Sequence, residues 1–291
     1  MKRLLPIIVA AAFIAPFVSA TAAAQPSTGY SATTPDRHRI AFELDFFHEG
    51  NISTAAISPA VYARFRLIDA RDGLAVETGE GGLVIYLDVD WRGAALVGEA
   101  GSFRMGNPYV GASVGIESRS LTVRGSIGLT LPLTNLYDEG FDDVFAYGYA
   151  LALHGAWDAH LVLPQTLSVP ITGEIQFRTP ILLLGADGGL IPLFSVPKSG
   201  DAGDPVVAIQ LGAFAAFTPI PELAAGLRFQ VVGFFGNGGE EGFVALVPFV
   251  RGEVGRGFIE GRFYMNLDDP YGFSFDDGKI WSVSVDAGAE F

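Results

Sequence analysis

The 291-residue sequence has no cysteine, 4 histidines, and 18 Lys and Arg against 32 Asp and Glu. Without cysteine there is neither a disulfide framework nor an N-terminal lipid attachment point. A formal net charge of −14 argues against nucleic acid as a partner, because phosphate backbones are held by basic patches. Beyond the N-terminal segment, no apolar run approaches the ~20 residues that a spanning helix needs. Yet the chain is 49% hydrophobic, with 37 Gly and 23 Phe. That apolar content is therefore dispersed into short segments. In lipid only a helix or a closed barrel satisfies every backbone hydrogen bond, and dispersal leaves the barrel.

The N terminus reads Met1-Lys2-Arg3, then an apolar run from Leu4 to Val18 interrupted by Pro6 and Pro16, then Ala22-Ala23-Ala24 before Gln25. A short positive region, an apolar stretch and small residues at its end make up a cleaved secretory signal. Residues 1–24 are assigned to it, residues 25–36 to a polar tail, and residues 37–291 to one folded unit.

The C terminus, from Lys279 to Phe291, alternates without a break. Trp281, Val283, Val285, Ala287, Ala289 and Phe291 share one face, and Ser282, Ser284, Asp286, Gly288 and Glu290 the other. A period of two with one apolar face is a β-strand pattern. A strand of this kind ending on an aromatic resembles the C-terminal signature of Gram-negative outer-membrane β-barrels, which the barrel-assembly machinery reads. The resemblance implies an outer-membrane location, a periplasmic tail at residues 25–36, and contact with membrane lipid and lipopolysaccharide.

The same alternation recurs along the chain. It predicts strands at Arg39–Phe47, Pro59–Leu67, Leu83–Trp91, Pro108–Glu117, Leu121–Leu131, Ser168–Phe177, Leu182–Val196, Val206–Phe217, Leu223–Phe235, Phe243–Glu253, Phe258–Leu267 and the terminal stretch. The expectation is an all-β, antiparallel, up-and-down transmembrane barrel of about 12 strands, an even number as single-chain bacterial barrels have. Fourteen strands is the alternative, with Ala146 to Trp157 as strand. In Asp142–Trp157, Phe145, Tyr149, Leu153 and Ala156 recur at spacings of three and four, which predicts a short helix within one long extracellular loop. Short turns at Thr179-Pro180, Pro219-Ile220 and Val254-Gly255 fall on the periplasmic side.

Strand parity sorts the side chains. The inward set holds Glu43, Asp45, Asp88, Asp90, Glu117, Glu174, Asp187, Glu253, Glu260, Asp286 and Glu290 against Arg64, Arg66, Arg124, Arg228, Arg251 and Arg262. Two readings follow. One is a polar channel for small solutes with a cation preference, since acids exceed bases. The other is a non-conducting barrel filled by arginine–carboxylate ladders, with structural or surface-binding roles. On the outward face Phe46, Trp91, Phe217, Phe235, Trp281 and Phe291 suit the lipid interface.

Catalysis is not expected. His38 and His48 flank the first strand, while His154 and His160 fall in the long loop, where they read as solvated residues with no nucleophile motif beside them. The acidic pairs Asp142-Asp143, Asp268-Asp269 and Asp276-Asp277 lack the spacing of a calcium loop and read as solvated charges. No metal or cofactor is assigned. Asn107 and Pro108, in the run Met105 to Tyr109, read as turn residues.

Overall fold

The structure, a computed structural model, describes residues 39–49, 55–69, 82–97, 102–118, 120–133, 156–197, 203–220, 222–236, 239–267 and 280–290. Strand segments are β1 (Arg39–Glu49), β2 (Ala55–Asp69), β3 (Gly82–Val97), β4 (Ser102–Met105), β5 (Tyr109–Glu117), β6 (Leu121–Thr130), β7 (Thr166–Ser168), β8 (Ile171–Arg178), β9 (Leu182–Ser195), β10 (Val206–Ile220), β11 (Leu223–Gly236), β12 (Gly239–Val254), β13 (Gly257–Asn266) and β14 (Ile280–Glu290). One helical turn, α1 (Ala159–Val162), precedes β7.

These segments make twelve staves. Both β4 and β5 pair with β3, and both β7 and β8 lie between β6 and β9, so each couple is one strand broken in the middle. The ring closes where β1 pairs with β14, with Ile40 opposite Ala289 and Glu43 opposite Asp286. Closure leaves no sheet edge to present bare backbone groups to lipid. The expected all-β antiparallel barrel of twelve strands is what is observed.

The alternation seen in the sequence becomes two surfaces. On β5, Tyr109, Gly111, Ser113, Gly115 and Glu117 are buried inside the ring, while Val110, Val114 and Ile116 are exposed outside it. On β14, Ser282, Ser284 and Asp286 are buried and Val285 is exposed. The exposed side chains of the other staves, among them Ile127, Ile175, Leu211, Phe229 and Ile259, extend this apolar exterior. Such a continuous apolar wall is tolerated when lipid covers it.

Residues 118–120, 179–181, 221–222 and 255–256 connect neighbouring staves at the end of the ring that holds Arg39 and Glu290. The tightest connection, between Val254 and Gly257, places Gly255 at φ 62°, the left-handed region that a two-residue hairpin turn uses. The expected Asp142–Trp157 helix lies almost wholly outside the described residues. The short helix among the described residues is the four-residue α1, in the same long connection, and its residues are buried.

Candidate functional site

Inward parity on β1–β3 and β12–β14 fills one half of the lumen with ion pairs. Glu43, 2% exposed, accepts hydrogen bonds from Tyr62 Oη at 2.6 Å and Ser284 Oγ at 2.9 Å. Arg92 Nη2 stands 3.1 Å from Glu43 Oε2 and 3.1 Å from Asp158 Oδ2. Arg262 donates from Nε to Glu260 Oε1 at 2.6 Å and from Nη2 to Asp286. Arg251 lies 2.9 Å from Glu253, 3.6 Å from Glu260, and 3.9 Å above the Phe258 ring. Buried charges of this kind persist only where each is paired, and each charge named here has an ion-pair partner, although Glu260 Oε2 accepts no hydrogen bond among the described residues.

From the long-connection end, residues 156–163 turn into the lumen. Trp157, Asp158, His160 and Leu161 are all buried. The loop is fastened mainly by polar contacts to the wall. Asn107 Nδ2 donates to Leu163 O at 2.6 Å, and the Asn107 backbone N–H donates to Leu161 O at 2.6 Å. Gln210 Nε2 donates to Trp157 O, Arg92 pairs with Asp158, and the Arg228 guanidinium sits 4.4 Å above the Trp157 ring. Val232, with Phe234 and Phe243, supplies an apolar flank. Ala156 and Gln165 bracket the loop with φ of 60° and 49°, a left-handed conformation that costs a non-glycine residue about 1 kcal/mol or more.

This docking explains the break between β4 and β5. A β-carbon at Gly106 would collide with Arg92 O and stand 2.5 Å from Leu161 O, so only glycine lets wall and loop meet. Asn107 then spends its backbone N–H on the loop instead of the ladder, and Pro108 has no N–H to spend. Asn107 and Pro108 are thus a buried strut, 0% exposed at Asn107, and not the turn expected from the sequence.

Between the loop and the opposite wall lies a cavity of about 70 Å³, room for roughly five waters. Asp88, Asp90, Glu174 and Asp187 line it with Arg64, Arg124 and Tyr109, and Trp157 and His160 line it from the loop. Arg64 Nε is 2.5 Å from Asp88 Oδ1, Arg124 is 2.7 Å from Glu117 and 2.6 Å from Glu174, and Arg228 is 2.9 Å from Asp187 Oδ2. Glycines make the room: the Tyr109 ring lies where β-carbons at Gly111 and Gly128 would stand, and the Arg228–Asp187 pair where one at Gly212 would.

His160 is a correction to the sequence reading. It is 4% exposed, packed edge-on against Tyr109 at 6.3 Å between ring centres, and not a solvated loop residue. Burial lowers its pKa to about 4; Asp158 opposes the shift and Arg92 adds to it, so the imidazole is neutral at neutral pH.

Among the lumen candidates, Glu43, Asp88, Asp90, Arg228, Arg251, Glu260, Arg262 and Asp286 are buried, and Arg64, Arg66, Arg124, Glu174, Asp187 and Glu253 are half-buried on inward positions. Asp45 pairs with Ser284 and Ser58 in the ladder, and its side chain lies outside the described residues. Phe217 and Phe235 are exposed on the outer face. Trp91 and Trp281 are half-buried there, with Trp281 centred 5.8 Å from the Phe263 ring. Trp91 is not at a strand end, because β3 continues to Val97. The side chains of Phe46 and His48, and all of Phe291, His38, His154, the acidic loop pairs and residues 1–36, fall outside the described residues.

Arg92 and Gln210 were not singled out from sequence, and Asn107 was read only as a turn residue. For Arg92 a signal existed, since it has the parity of Asp88 and Asp90 and one further step of alternation reaches it. For Asn107 the signal was the Gly-Asn-Pro sequence inside an otherwise alternating run.

No family model matches the sequence, and no curated protein matches it. Among solved structures the fold is similar to an outer membrane channel from Pseudomonas putida F1, with a TM-score of 0.55 at 10% identity over 89% of this chain and 97% of that one. It is also similar to the NanC porin, with a TM-score of 0.51 at 6% identity over 87% of this chain and 99% of that one. Identities this low carry the fold alone. The closed ring, apolar exterior and charged interior are those of a transmembrane barrel of the Gram-negative outer membrane.

Proposed function

We propose that the protein is a narrow, non-catalytic outer-membrane channel for small polar solutes, constricted by the inward loop at residues 156–163. The observation that carries this reading is the polar cavity beside the loop. A solid structural interior leaves few buried polar atoms unpaired. Here Asp187 and His160 line the cavity, and their Oδ1 and Nδ1 have no hydrogen-bond partner among the described residues. Each would cost ~1–3 kcal/mol in a dry core, which supports a hydrated lumen. The short-turn end with both chain ends would face the periplasm, and the longer connections the exterior and lipopolysaccharide. Assembly would proceed through recognition of the C-terminal strand.

The ion-paired half around Glu43 and Arg262 favours a second reading, a non-conducting barrel acting through its exterior loops. Reconstitution in planar bilayers separates the two. Discrete conductance steps, smaller than those of wide porins, are expected; a silent membrane containing correctly folded protein would overturn the channel reading.

A further inference from the structure

We propose that the luminal cavity is a binding site for a small organic cation bearing N–H donors, of the alkylammonium or guanidinium class. The inference deepens the channel reading by naming a solute class, and it rests on that reading only in requiring that the ligand reach the lumen.

Charge is the first observation. Five carboxylates in or bonded to the lining, Asp88, Asp90, Glu117, Glu174 and Asp187, face three guanidiniums, Arg64, Arg124 and Arg228. Each guanidinium is paired with one or two of these carboxylates, and Arg228 Nη1 keeps a donor unbonded among the described residues. Asp90, 4% exposed, has neither an ion pair nor a hydrogen bond among the described residues, although Asp88 shares its strand face two residues away. The Arg64 and Arg92 guanidiniums act on Asp90 from a distance without pairing with it, and a cation bound beside it and Asp88 would add a direct partner.

The second observation is independent of charge. The side chain of Asp187, 5% exposed, leaves Oδ1 unbonded while Oδ2 holds Arg228, and the buried His160 leaves Nδ1 unbonded. A neutral imidazole can present that nitrogen as an acceptor. The cavity therefore offers acceptors from β3, from β9 and from the inward loop.

How the acceptors are grouped decides the kind of cation. A calcium-like ion needs six or more oxygens within ~2.6 Å of one point, and the described residues bring no three His, Cys, Asp or Glu side chains together for a metal. Separated acceptors fit several N–H donors fixed on one small framework. A space of about 70 Å³ admits a ligand of a few heavy atoms, and the Tyr109 and Trp157 rings beside it suit a flat or alkyl cation.

The test is calorimetric titration of refolded, detergent-solubilised full-length protein with methylguanidinium chloride, against tetramethylammonium chloride, which has the charge but no N–H, and magnesium chloride. Saturable methylguanidinium binding is expected, at least tenfold weaker for tetramethylammonium and undetectable for magnesium. Asp90→Asn, which keeps the side-chain shape, should weaken methylguanidinium at least tenfold, while Glu253→Gln at the short-turn end should leave it unchanged. Equal binding of tetramethylammonium, no saturable binding of methylguanidinium, or an unaltered Asp90→Asn affinity would each overturn the site. Should Asp90→Asn not fold, the comparison of the three salts on the unaltered protein still decides. Calorimetry needs no current, so binding by a protein silent in bilayers would sink the channel and leave the site standing. Conductance without binding would do the reverse.

Discussion

The Asn107 side-chain amide donates to the backbone oxygen of Leu163 at 2.6 Å, joining a break in the barrel wall to the loop that occupies the lumen. Removing that donor leaves Leu163 O short of its partner, a local cost of ~1–3 kcal/mol that falls on loop docking and not on the ring. Asn107→Leu is therefore expected to raise the time the channel spends in its larger conductance level by about tenfold, at ~1.4 kcal/mol per decade. Its shift between folded and heat-denatured mobility on SDS gels should stay that of the unaltered protein. Current traces identical to those of the unaltered protein would show that the loop is not held through this contact.

His160 makes the same docking pH-dependent. Its docked pKa of about 4 lies below the ordinary value of 6.5, so the released loop takes up a proton that the docked loop refuses. Docking is thus fully favourable above pH ~6.5 and weakens as pH falls towards 4, by at most about 3 kcal/mol. Asp158 and Arg92 act on the docked ring in opposite senses. Conductance at pH 4.5 should exceed that at pH 7, and His160→Phe should flatten the profile. A His160→Phe protein with the pH response of the unaltered one would assign the response to another group.

Arg92 tests the filled half. Its guanidinium serves Glu43 and Asp158, each 3.1 Å away, in a site 1% exposed. Arg92→Met leaves two carboxylates facing a shared apolar stem and should cost ~3–5 kcal/mol in urea unfolding from lipid vesicles. Asp158→Asn added to it should recover part of the loss, because the second charge is then gone. A loss below ~1 kcal/mol would mean that water already solvates the group.

The staves were legible because burial on one face writes itself into a period of two. Ser282, Ser284 and Asp286 could be placed inside from their alternation with Trp281, Val283 and Val285 alone, and a one-residue slip would have turned all of them to lipid. The loop was not legible, for a physical reason. What holds residues 156–163 in the lumen is a contact with Asn107, some fifty residues earlier, and with Gln210, some fifty later. No local periodicity reports a contact of that separation. The helical spacing of Phe145, Tyr149 and Leu153 falls on residues outside those described. The apolar alternation of β3 ends at Trp91 while the strand continues to Val97, and Arg92 falls just past that end.

The contrast between a hydrated cavity and an ion-paired half is open to direct measurement, because the native chain has no cysteine to interfere. Ser126 lines the cavity, where its Oγ lies 2.5 Å from Thr172 Oγ1. Ser284 is 0% exposed and donates to Glu43 in the filled half, while its neighbour Val285 points outward, 37% exposed. Single cysteines at these three positions, in protein refolded into vesicles, should separate the three environments. A small, charged, membrane-impermeant thiol reagent is expected to modify Ser126→Cys. Ser284→Cys should react at least tenfold more slowly because no water reaches it, and Val285→Cys should be protected by lipid. Asn107→Leu combined with Ser126→Cys should react faster than Ser126→Cys alone, since the loop that shields the cavity would then be released. Fast labelling at Val285 with none at Ser126 would reverse the two faces of the wall, and the cavity, the loop contacts and the cation site would fall with them.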